Sequence, residues 1–228
     1  MAEIIRLGHP AIDVELRRSA RARRLSLRIS NVDGRVSLTL PARARMSEAE
    51  RFLDAQEAWL RDHLAQRPDP VVVRPGLDLP VEGQMRRIVE ASGRTVRLTD
   101  EQLLVPVGTD KAGVRAGAFL KTLARDRLAE ASTRYAAKLG RNFGRITLRD
   151  TRSRWGSCSS DGNLMYSWRL ILAPPDVLDY VAAHEVAHLA EMNHSKRYWD
   201  GLEGLLPTYK APRAWLRQNG LSLHRYKF

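Results

Sequence analysis

Apolar and polar residues alternate in LSLRIS and again in RVSLTLP, on either side of the turn signal NVDGR with Asp33-Gly34 at its tip. Period-two patterning broken by such a dipeptide predicts a β-hairpin. The pattern then changes to a helical period. Ser47 followed by Glu50 reads as a capping box, and Phe52, Leu53, Trp59, Leu60 and Leu64 supply an apolar face that ends at Pro68. Between 70 and 107 the short pieces VVV, RRIVEA, TVRLT and QLLVPV, separated by Gly and Pro, predict a second β segment. From about Gly113 to Leu139, Phe119, Leu120, Leu123, Leu128 and Tyr135 recur at helical spacing, and Gly140 is a C-cap signal. RITLRD predicts a strand, and RWGSCSSDGNLMYSWRLILA a hairpin or broad loop turning at Ser160-Asp161-Gly162. Pro174 and Pro175, followed by Asp176 and Asp179, open another helix; Ser195 caps one running through Leu205, and Pro212 opens a short last one.

Length and composition bound the rest. At 228 residues with 43% hydrophobic content the chain can build a proper core, as one large domain or two smaller ones. The order of elements divides it into a β-rich region with one helix (1–110) and a region of 111–228, unless the two form one integrated domain. No run of eighteen apolar residues occurs and the first residues lack signal-peptide organisation, so no membrane association and a cytoplasmic location are expected. The single cysteine, Cys158, excludes an internal disulfide and a multi-thiolate zinc finger, so any metal must be held by His and carboxylate.

The net charge of +12 and pI near 10.5 would draw polyanions. The excess is spread along the chain, about +3 over 1–70, +6 over 71–150 and +3 over 151–228. Its densest patch is LRRSARARRLSLRI, six arginines from Arg17 to Arg28 with no acid. A solvated strand and turn accounts for it more simply than a phosphate-binding face.

The candidate chemistry lies in HEVAHLAEMNH, residues 184–194, which holds three of the six histidines. At 3.6 residues per turn His184 and His188 stand one above the other about 6 Å apart, so both imidazoles can reach one ion. Glu185, adjacent to the first histidine, faces the same cleft and is placed to take a proton from a water on that ion. A third ligand is needed. Glu191 would lie some 10 Å along the axis from His184 if the helix ran on, too far for compact tetrahedral geometry. His194 fits better if the chain reverses at Asn193, a residue type that tolerates the left-handed conformation, before the helix capped by Ser195. Glu203, one helix later, is a weaker carboxylate candidate. A bare HExxH arises by chance in a chain of this length on the order of one time in a hundred. The helix, the turn and the third histidine weigh further against coincidence.

The run WGSCSSDGNLMYSWRLILAPPDVLDYVAAHEVAHLAEMNHSKRYW resembles the YgjP-like metallopeptidases, a group similar to the SprT-like and minigluzincin zinc peptidases, and the likeness extends from about Arg17 to Trp215. What the resemblance implies is an α+β fold: a zincin-like core of backing helix, small mostly antiparallel sheet and HExxH helix, with positions matching His184, His188 and His194 binding Zn2+ and Glu185 catalytic. In this stretch Trp155 and Cys158 are expected to be packed core residues rather than catalytic ones, and Trp168 and Trp199 structural. Hydrolysis at a metal also calls for an oxyanion partner, for which Tyr166, Arg169, Tyr198 and Tyr209 are candidates. The expected function is a zinc-dependent metallopeptidase acting on a peptide or protein, which could add as a strand to the edge of the 152–172 hairpin. The alternative is a nucleoside triphosphate pyrophosphohydrolase using the same site, with Arg17 to Arg28, Arg152, Arg154 and Arg169 facing phosphate. Nucleic-acid association through the basic surface is a third possibility.

Overall fold

A computed structural model describes residues 3–30, 34–65, 69–108, 111–151 and 153–228. The fold is mixed α+β, with small sheets and five α-helices among the described residues. Contacts divide it into compact units at 1–69 and 70–228.

The first unit is a four-stranded sheet, β1 (Glu3–Leu7), β2 (Ile12–Ser19), β3 (Ser26–Ile29) and β4 (Val36–Pro41), in the order β1-β2-β4-β3, with helix α1 (Met46–Ala65). β3 and β4 are the antiparallel pair expected from alternation, in register from Ser26 opposite Thr39 to Ile29 opposite Val36. Gly34 takes φ 74°, while Asn31, Val32 and Asp33, the rest of the turn signal, lie outside the described residues. Val36, Leu38 and Leu40 point inward with Val14 and Leu16 of β2, and Ala49, Leu53 and Leu60 of α1 complete this core. The six arginines divide between β2 (Arg17, Arg18), the turn after it (Arg21, Arg23, Arg24) and β3 (Arg28). Arg18 Nη1 donates to the carbonyls of Ala42 and Ala44.

Two sequence expectations for α1 are corrected. The helix starts at Met46, so Ser47 lies inside its first turn; the Glu48 carboxylate accepts the Arg45 N–H at 3.3 Å, closing half of a capping box two residues earlier than Ser47–Glu50. Trp59 does not join the apolar face: it is 40% exposed and packs on His63, one turn on. Pro68 lies outside the described residues.

The second unit takes in the whole β segment of 70–107, which the division at 110 had assigned to the N-terminal region. Strands β6 (Asp78–Val81), β7 (Gln84–Ala91), β8 (Arg97–Leu98) and β9 (Gln102–Pro106) form a sheet in the order β6-β7-β9-β8. Their inward Leu79, Val81, Ile88, Leu103 and Val105 share one core with helix α2 (Ala112–Leu139), and this shared core places them in the C-terminal unit. α2 buries Leu120, Leu128 and Tyr135, a fully buried Leu being worth about 1.5–3 kcal/mol, and stops at Gly140 in the left-handed conformation, φ 67°.

Next come β10 (Ile146–Arg149), β11 (Gly156–Cys158) and β12 (Leu164–Ser167) in the order β10-β12-β11. β11 and β12 are the expected hairpin, with Gly162 at φ 74°, but β10 runs parallel to β12, so the sheet is half parallel. The hairpin is also shorter than residues 152–172, because Trp168–Leu172 winds into a buried 3-10 helix. Three helices complete the unit: α3 (Pro175–Ala187), α4 (Lys196–Leu205) and α5 (Lys210–Asn219). α3 packs against α2 on one side and β11 on another. The chain closes with a 3-10 turn and β13 (Tyr226–Lys227), parallel to β5 (Val71–Val72).

Candidate metal centre

Apolar residues supply most of α3, and nine of its thirteen positions are Ala, Val, Leu, Tyr or Pro; Val177, Val181, Ala182, Ala183 and Val186 are buried. That holds the helix rigidly while His184, Glu185 and His188 share its last turn. Pro175 at the first helical position and Asp176 in the first turn suit the helix start. The helix ends sooner than expected. His188 is the C-cap at φ −64°, ψ −17°, so it keeps helical geometry and its place one turn above His184. The reversal then comes without a left-handed residue, since among the described residues Glu82 is the non-glycine with positive φ. Asn193 acts through its side chain instead. Its Oδ1 accepts the Ser195 N–H at 2.9 Å and its Nδ2 donates to Glu191 Oε1 at 3.0 Å, fixing the bend. Ser195 Oγ then accepts the Tyr198 N–H and starts α4.

This bend brings His194 over the pair. One nitrogen from each of His184, His188 and His194 lies within 4.8 Å of the others, with Nε2 of His194 3.2 Å from Nε2 of His184. Ligands of a tetrahedral ion at the usual zinc–nitrogen length sit about 3.4 Å apart, so the spacing fits a shared cation. The tautomers fit too. His188 Nδ1 donates to the Glu191 carbonyl at 3.0 Å, leaving Nε2 as the free donor atom. His184 Nδ1 is buried, which leaves Nε2 as the atom facing His194. Burial holds the His184 imidazolium down to about 3, helped by the neighbouring rings of His188 and His194; burial also lowers His188. Both rings are therefore neutral near pH 7, the form that binds metal. The cluster runs from buried His188 to exposed His194, so one side is open to solvent.

Aromatic rings pack around the three imidazoles. Tyr198 stacks on His188 at 4.5 Å and donates its hydroxyl to the His184 carbonyl at 3.0 Å; Trp199 stacks on His194 at 5.6 Å. Tyr180, one turn before His184, meets its ring edge-on.

Glu185 is buried at 5% exposure, and burial raises its carboxyl from 4.5 to about 8, against a smaller opposing effect of Arg154. A glycine makes room for it. A Cβ at Gly156 in β11 would stand 2.5 Å from Glu185 Oε1, so only glycine lets strand and carboxyl meet this closely. The pattern WGSC contained that glycine, but nothing in the sequence pairs it with Glu185.

The other candidates resolve clearly. Glu191 is tied to Asn193 and lies 3.6 Å from Arg197; Glu203 faces Lys210 at 3.4 Å; neither joins the imidazoles. Cys158 is half-buried, its Sγ directed to the Ser159 carbonyl, and burial pushes its thiol up to about 11. Of the four oxyanion candidates, Tyr166 is fully buried with its hydroxyl 2.9 Å from Ser132 Oγ. Arg169 is held by both oxygens of Asp150 and by the Leu223 and Tyr226 carbonyls, so it fastens the C-terminal segment. Tyr198 has its hydroxyl engaged with the His184 carbonyl, and Tyr209 stacks on Trp199. Trp168 is buried, as expected, and Trp155 stacks on His224. Sequence reasoning passed over Tyr180 and Arg213; the last lies over the Trp199 ring. A separate cleft of about 440 Å³ is lined by Glu82, Arg127, Arg134 and Asp179, whose charges already pair with one another.

Among the described residues no helix is long and apolar enough to cross a membrane. No curated protein matches the chain. Among solved structures, the metallopeptidase zymogen abylysin of Pyrococcus abyssi is similar at 20% identity over 42% of this chain and 92% of that one, with a TM-score of 0.34. The sequence model of the YgjP-like metallopeptidase domain matches residues 23–219, most of the chain, and the chain therefore belongs to the YgjP-like metallopeptidase family.

Proposed function

We propose that the chain is a zinc-dependent peptidase in which His184, His188 and His194 hold the ion through Nε2 and Glu185 moves the proton. The observation that carries this reading is the convergence of three imidazoles, two held neutral by burial, beside a buried carboxyl. In this reading α2, the β10-β12-β11 sheet and α3 correspond to the backing helix, sheet and active helix of a zincin-like core.

A divalent cation at this site would polarise a scissile carbonyl and favour deprotonation of water. The chain supplies the rest. Glu185 in its carboxylate form accepts the proton of the attacking water and returns it to the departing amine. A nearby cation favours that carboxylate, offsetting the burial that raises it. Gly156 keeps the carboxylate against the strand, and the Glu191 carbonyl and Tyr198 orient His188 and the His184 backbone. β11 is an edge strand, and a peptide paired along it would run past Glu185.

The test offers unfolded casein and a panel of nucleoside triphosphates to wild-type protein and Glu185→Gln, both zinc-loaded. The reading requires casein cleavage by the wild type and its loss in the variant. Nucleotide cleavage without peptide cleavage would replace it with the pyrophosphohydrolase alternative.

A further inference from the structure

Arg213 packs on the aromatic ring that stacks on His194. Arg127, Arg134 and Arg169 each pair with a carboxylate, to Glu82, Asp179 and Asp150 respectively. The guanidinium of half-buried Arg213 instead lies 4.5 Å from the centre of the Trp199 ring, and among the described residues it has neither a carboxylate nor a carbonyl partner. Trp199 in turn stacks on His194 and lies 6.4 Å from His184. One aromatic ring thus separates an unpaired cation from the imidazole cluster.

The guanidinium fork is free to take an anion, and beside a site suited to a divalent ion an anion lying between the two positive charges would be attracted by both. Glu185, next to His184 in the chain, has its carboxyl against Gly156 of β11. An anion from outside the chain is what the arrangement lacks. The Trp199 face also restrains the guanidinium, leaving its planar N–H fork available for a carboxylate. Arg154, whose charge acts on Glu185, is exposed and among the described residues stacks on no aromatic ring.

We propose that Arg213 is a specificity-determining residue that receives a carboxylate of the bound peptide, either its C-terminus or an acidic side chain. The inference rests on the peptidase reading above. It makes the enzyme selective for peptides bearing a negative charge near the cleaved bond.

The test uses zinc-loaded Glu185→Gln protein, which binds without turning over, and three fluorescein-labelled Ala/Leu/Phe pentapeptides. One ends in a free carboxylate, one in a carboxamide, and one in a carboxamide with a single internal Glu. Anisotropy is expected to show one or both charged peptides binding roughly tenfold or more tightly than the neutral one, the effect of a charge-assisted pair. Which of them gains distinguishes end recognition from side-chain recognition. Adding Arg213→Gln should abolish the preference and Arg213→Lys should keep part of it, with zinc content unchanged throughout. Should the Gln variant not fold, Arg213→Met preserves the packing on Trp199 and removes the charge. Equal binding of charged and neutral peptides, or a preference that survives loss of the Arg213 charge, overturns the proposal. If that happens while the wild type still cleaves casein, only Arg213 is at fault. If no peptide binds and casein stays intact, the peptidase reading falls with it.

Discussion

Replacing Glu185 by Gln should stabilise the metal-free protein, and increasingly so as pH rises. Burial raises the Glu185 carboxyl from 4.5 to about 8, so between these values the folded chain keeps a proton that the unfolded chain releases. Stability therefore falls with rising pH across that window, by about 1.4 kcal/mol per pH unit once the unfolded group is fully ionised. From pH 5 to 7.5 the loss amounts to about 3 kcal/mol. His184 works in the other direction. Its pKa is lowered to about 3, so the stability it contributes is complete above 6.5 and lost as pH falls below that. Because His184 is present in both proteins, the difference between wild type and Glu185→Gln isolates the carboxyl. Urea unfolding with a chelator, at pH 5 and 7.5, measures it. The variant should gain about 3 kcal/mol on the wild type between the two pH values. A difference that stays constant would refute the claim that Glu185 is buried and proton-hungry without metal.

Gly156→Ala brings a methyl group 2.5 Å from Glu185 Oε1; peptide turnover should fall by about tenfold or more while bound zinc, read by elemental analysis, stays the same. Tyr198→Phe removes the donor to the His184 carbonyl but keeps the ring on His188, so it should cost about 1 kcal/mol in urea unfolding and spare metal stoichiometry. Arg169→Leu strands Asp150 and the carbonyls of Leu223 and Tyr226, and should cost about 3 kcal/mol, seen as a lower melting temperature, without changing zinc uptake. Chelation of metal-loaded protein should lower its melting temperature, with zinc restoring it, because a ligand of the native state stabilises by mass action.

The clustering of the three imidazoles was more legible in the sequence than the scaffold around it. Histidines one turn apart, a bend and a third histidine are local facts, and local geometry alone brings the three rings together. How the bend is made was misread: Asn193 fixes it through side-chain hydrogen bonds, not a left-handed backbone, and the two leave the same residue in the sequence. β1 and β2 form a hairpin whose local signals, Gly8 and Pro10 followed by the alternating Ile12–Leu16, are present but short, and the parallel pairing of β2 with β4 joins segments not linked by a turn, which no local pattern records. The division at 69 rather than 110 arises because strands β6 to β9 bury their inward side chains in the core shared with α2, which no short-range pattern records. Gly156 and Arg213 matter only through what they face across the fold, a carboxyl on another element and an indole on another helix.

Metal uptake by the folded protein tests the central claim most directly. Wild-type protein freed of metal, then given zinc and dialysed, should retain one equivalent by elemental analysis, and His184→Ala, His188→Ala and His194→Ala should each lose most of it while remaining folded. A folded wild type that retains no divalent metal, or variants that all keep a full equivalent, would contradict the account.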